Sequence, residues 1–175
     1  WMKEHYPKAE SLSQEQQLRE AAFAVMDEMR EPEAMALLHA VGKHVPEVET
    51  YAAFMQTDGK DYKFAHSLQA LQALYQQAEQ QLGKENPTTG WCKYLWMNCR
   101  SNMENIYPLM DGIIQEQKTA AKKNPDKENK ALVCLFQLLK FDASQLITFI
   151  TSPDLYDEVL QAEREAVKLY PFADQ

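Results

Sequence analysis

Glycine is scarce in this chain, with 5 in 175 residues. Hairpins with primed turns use glycine where φ is positive, so scarcity argues against a turn-rich all-β fold. It also leaves no glycine-rich phosphate loop and no dinucleotide fingerprint. Basic residues are outnumbered: 18 Lys and Arg against 26 Asp and Glu leave a formal charge of −8. Binding to nucleic acid needs a basic footprint, and adhesion to an anionic membrane needs the same. The charge therefore disfavours both, and no nucleic-acid partner is expected. The compact basic run Lys118, Lys122, Lys123 reads as the cationic end of a helix.

Long hydrophobic runs are also missing. The longest apolar stretch, residues 131–151, is interrupted by Gln137, Lys140 and Asp142. It reads as two buried helices divided near Phe141–Ser144, with no membrane insertion. Residues 1–17 hold no apolar core of a signal peptide, and Trp1 in place of Met reads as a fragment or processed product. There are three cysteines. Cys92 and Cys99 are seven apart, roughly 10 Å along a helix, beyond the about 7 Å Cα separation a disulfide allows. Three buried thiols in a reducing, cytoplasmic setting are expected, that of the producing cell or of a host cell if the protein is secreted; the rival is one disulfide through Cys134 in an exported protein.

What is present is helix punctuation. Ser13-Gln14-Glu15-Gln16 matches a capping box. A first helix is expected over 14–31, a second over 32–44 after Pro32, and a short third from Pro46. That third helix should end at Thr57-Asp58-Gly59. A fourth, over 60–82, carries Phe64, Leu68, Leu71, Tyr75, Ala78 and Leu82 on one face. Gln69, Gln72, Gln76, Gln77 and Gln80 lie opposite, and Gly83 follows as the cap. A fifth helix is expected over 89–106, ended or kinked at Pro108. A sixth segment holds Leu109, Ile113 and Ile114, then fades into polar sequence. Asn124 and Pro125 should restart a seventh, whose Ala131–Phe141 stretch is apolar nearly all round and therefore central. Ser144 or Asp142 should cap a short helix, and Ser152-Pro153-Asp154 should open the last, over 153–169. The expected fold is all-α: a single irregular multi-helix bundle of about seven to nine helices over 13–175, behind a flexible tail at 1–12.

Chemistry-bearing patterns are few. His39 and His44, five apart, do not share a helical face, and no His-Glu-x-x-His occurs. His66 falls on the glutamine face and His5 in the tail. No Gly-x-Ser-x-Gly is present, and Cys92 and Cys99 lie on an apolar face where thiols are inert. No catalytic residue, cofactor or metal is expected. Asp27, Glu28, Glu31 and Glu33 cluster at the first helix junction, and Asp154, Asp157 and Glu158 open the last helix. A solvated junction and a favourable helix dipole account for these. Met26, Met29, Met55 and Met103 fall on core stripes.

Helix five departs from this pattern. With Trp91 at zero, Tyr94 falls at about 300° and Met97 at about 240° on a helical wheel, among Lys93, Asn98 and Arg100. An exposed Tyr and Met beside basic residues would form a contact patch at Tyr94, Met97, Arg100 and Lys93. The other arrangement has a further helix covering this side. The expected function is accordingly a non-enzymatic protein-binding module, of the kind found among bacterial regulators, adaptors, secreted effectors and immunity proteins. Its acidic surface suits a basic protein partner. The alternative is a small-molecule-binding or enzymatic bundle with a pocket lined by Trp91, Trp96 and Tyr107.

Overall fold

The computed structural model describes residues 3–57, 63–148 and 153–169. Among these residues there are eight α-helices and no strand. A 3-10 turn at Ala9–Ser11 precedes α1 (Gln14–Met26), α2 (Pro32–Gly42), α3 (Pro46–Met55) and α4 (Lys63–Leu82). Then follow α5 (Pro87–Ser101), α6 (Tyr107–Lys123), α7 (Lys127–Thr148) and α8 (Pro153–Leu169).

Local signals set most of the starts. Ser13 accepts from Gln16 N–H at 3.2 Å, and Gln16 Oε1 accepts from Ser13 N–H at 2.9 Å, so both halves of the capping box form. Prolines open α2, α3 and α5, where their missing N–H costs nothing. Gly83 closes α4 with φ 84°, a left-handed conformation that favours glycine. The expected turn at Asp58-Gly59 lies outside the described residues.

Four boundaries differ from expectation. Helix α1 ends at Met26, not 31. Glu28 takes φ 55°, while Met29 N–H reaches Ala24 O at 3.1 Å and Glu28 N–H reaches Val25 O. This is a Schellman-type stop made without glycine or asparagine. Helix α5 ends at Ser101, and Pro108 sits in the first turn of α6, which continues through its polar stretch to Lys123. Asn124 does not cap α7. Its side chain donates to Glu85 O at 3.0 Å, while Asp126 Oδ1 accepts from Glu128 N–H at 2.7 Å beside the start of α7. Finally, α7 runs unbroken to Thr148, and Ser144 bonds back to Phe141 O at 2.7 Å within it.

Within the expected tail, Tyr6 and Ala9 pack into the core while Glu4, His5, Lys8, Glu10 and Ser11 are exposed. Tyr6 is 5% exposed and Ala9 is buried. Lys3 pairs with Glu20 and lies over the Tyr6 and Phe23 rings, and Gln17 Nε2 donates to Ala9 O at 3.0 Å. One apolar core runs from Tyr6 to Leu139, through α1–α5, α6 and α7. Helix α5 packs on α1, α4 and α7; α6 and α8 lie against α7. Tyr51, fully buried in α3, donates to Val25 O at 3.2 Å. No helix among the described residues is long and apolar enough to cross a membrane.

Candidate functional site

Helix α5 carries all but one of the expected site residues, and its surroundings decide their roles. Tyr94 is 7% exposed and Met97 1%. The Tyr94 ring meets Phe136 of α7 edge-on at 5.4 Å and Trp91 edge-on at 6.2 Å. The expected exposure of Tyr94 and Met97 is therefore corrected. A further helix, α7, covers the side that the wheel marked as polar, so these two side chains belong to the core. Lys93 and Arg100 remain at the boundary, where long stems allow a charged tip to reach water. Lys93 pairs with Glu116 and its ammonium lies 5.6 Å from the Tyr75 ring centre. Arg100 pairs with Glu104 and lies 5.7 Å from the Trp96 ring centre.

Trp91, Trp96 and Tyr107 do not gather around one pocket. Trp91 is fully buried against Phe23 at 5.5 Å, with the Arg19 guanidinium 5.7 Å away. Trp96 stacks on Tyr75 at 5.4 Å and 13°. Tyr107 is half-buried in the first turn of α6 under Lys140. Each ring fills a different contact, which corrects the expected pocket.

Met103 also leaves its expected core position. It lies in the turn after α5 and is 49% exposed, and Leu109 in the first turn of α6 is 42% exposed. These are the exposed large apolar side chains of the described residues. Half-buried Tyr107 and Ile113 adjoin them in sequence, and Glu104 and Asp111 supply exposed carboxylates. The wheel missed this corner because it carried helix five on to 106, which would have turned Met103 inward. Asn105 was the available signal: its side chain accepts from Tyr107 N–H at 3.1 Å and marks the new start.

A cleft between α4, α5 and α6 was also not foreseen. Its lining includes Tyr75, Glu79, Lys84, Thr89, Lys93 and Glu116, with Gly90, Gln117 and Ala120 beneath. The free volume is about 30 Å³, room for about two waters. Tyr75 donates to Glu79 at 3.0 Å, and Lys84 lies 3.7 Å from the same carboxylate. The Lys93 ammonium beside Glu116 holds that carboxyl below its usual range. Buried Gln117 donates to Asn129 O at 3.1 Å, which ties the cleft to α7. The Thr89 hydroxyl is buried without a hydrogen-bond partner.

The remaining candidates are structural in their contacts. All three thiols are buried and unpaired. Burial pushes Cys92 up to about 12 and Cys99 up to about 11, and raises Cys134, the opposite of what an activated thiolate needs. His39 joins α2 to α3 through Glu49 and Gln56, both at 3.0 Å, and His66 lies against Phe54 at 4.5 Å. Gln69, Gln72, Gln76 and Gln80 are exposed. Among the described residues no group of three or more His, Cys, Asp or Glu is placed to hold a metal ion. Comparison with known proteins finds no matching family model, no matching curated protein and no matching solved structure.

Proposed function

We propose that this protein is a non-enzymatic binding module whose partner is another, basic protein. Its contact surface is the corner between α5 and α6. The observation that carries the reading is the joint exposure of Met103 and Leu109, six residues apart across one turn. Scattered apolar side chains on a surface need no explanation, but two large ones in one short stretch, with half-buried Tyr107 and Ile113 near them in sequence, supply an anchor of interface composition. Glu104 and Asp111 give that anchor an acidic rim, in keeping with the net charge of −8. Arg100 stays within the proposed surface, while Tyr94 and Met97 support it from inside. Such a module suits a regulator, adaptor, effector or immunity-type protein working in the cytoplasm.

The test is affinity capture from the native host with the wild type and a Met103→Ser, Leu109→Ser double variant, with the fold of each checked by circular dichroism. The reading expects a basic protein held at one-to-one stoichiometry by the wild type and lost by the variant. Equal retention by both would exclude this surface.

A further inference from the structure

The cleft between α4, α5 and α6 has a chemistry independent of the corner just described. Thr89 is 3% exposed and its hydroxyl has no hydrogen-bond partner. A buried hydroxyl with no protein partner carries a desolvation cost, and a ligand that bonds to it offsets that cost. Thr89 also lies in the first turn of a 15-residue helix, at the positive end of its dipole. The Asn86 side chain takes the Thr88 N–H at 2.8 Å, and the helical ladder begins with Gly90 N–H to Asn86 O at 3.2 Å. The Thr89 N–H falls between them, outside the ladder. Two cations, Lys84 and Lys93, complete the lining, and the Lys93 side chain is only 15% exposed and so held in place.

We propose that this cleft binds the carboxylate group of a small monocarboxylic acid through the Thr89 hydroxyl and the Lys93 ammonium. The free volume of about 30 Å³ matches two oxygen-sized atoms, with the remainder of the acid directed out past the lining side chains. Glu79 and Glu116 line the same cleft. They neutralise Lys84 and Lys93; on binding, Lys93 is shared between Glu116 and the ligand. Their charge opposes a dianion, which sets a monocarboxylate apart from phosphate or sulfate.

The test is a titration of the ¹⁵N-labelled full chain with sodium formate at constant ionic strength, following the Thr89 and Gly90 amides. Acetamide and sodium chloride are the control arms. Saturable shifts are expected with formate and not with either control. Thr89→Val keeps the shape but removes the hydroxyl, and should weaken formate binding by about tenfold or more. Thr89→Ser should retain it, and Lys93→Met should weaken it with the melting curve still cooperative. Shifts that never saturate, an equal response to acetamide or chloride, or unchanged affinity in Thr89→Val would overturn the proposal.

Discussion

Arg19 of α1 holds Glu128 of α7 with two hydrogen bonds, 2.9 and 2.6 Å, across 109 residues of sequence. The guanidinium also lies 5.7 Å from the Trp91 ring centre, so one side chain ties α1, α5 and α7 together. A two-point charge-assisted pair at the boundary is stronger than an ordinary surface pair. Arg19→Ala should therefore cost about 1–2 kcal/mol in urea unfolding, and Glu128→Gln about 1 kcal/mol or less. The Glu128→Gln loss should shrink in high salt, while part of the Arg19→Ala loss, from stacking on Trp91, should persist.

Two glycines in helices should respond to alanine with opposite signs. A Cβ at Gly90 would stand 2.6 Å from Leu132 Cδ1, where α5 and α7 approach closely. A Cβ at Gly112 in α6 meets nothing within 4 Å. Gly90→Ala should destabilise by about 1–3 kcal/mol, whereas Gly112→Ala should stabilise by up to about 1 kcal/mol through helix propensity. Thermal melts of the two variants measure this directly.

Two methionines on and just after α5 invert the expectation from spacing. Met97 is fully buried and Met103 half-exposed. Met97→Ala should cost about 2–5 kcal/mol by opening a cavity, and Met103→Ala should stay within about 0.5 kcal/mol. Chemical unfolding of both variants checks the placement, and a large loss at Met103 would contradict it.

Asp27, at the C-terminal end of α1, has one carboxylate oxygen buried without a partner. Burial raises its carboxyl above the usual value of 3.8, countered in part by the Lys3 ammonium. Folding thus favours the protonated acid. Its stabilising share is full below the unfolded value and is lost as pH rises through the folded one. Asp27→Asn lacks this loss, so its stability relative to the wild type should increase as pH rises from the usual carboxylate range towards neutrality. Parallel melts across that range test the sign.

Much of the architecture was legible residue by residue. Ser13 with Gln16, the prolines at 32, 46 and 153, and Gly83 each mark a helix end by local stereochemistry alone. The stop at Glu28 was not legible, because a glutamate in left-handed geometry leaves no signal in sequence. The burial of Tyr94 was hidden for a different reason. A wheel separates polar from apolar sides but does not show which elements pack against a helix, and α5 lies against α1, α4 and α7. Lys93 and Arg100 made that side look solvated because their charged tips reach its edge. The candidate surface at Met103 and Leu109 and the cleft at Thr89 depend on where α5 stops and where α6 lies beside it. Those are tertiary facts, which single-helix periodicity does not contain.

The most direct measurement of the central claim is hydrogen–deuterium exchange of the protein with and without its captured partner. The contact surface predicts slowed exchange across residues 102–110, with the buried middle of α5 unchanged. Protection confined to another surface, such as the glutamine face of α4, with 102–110 exchanging as in the free protein, would contradict it.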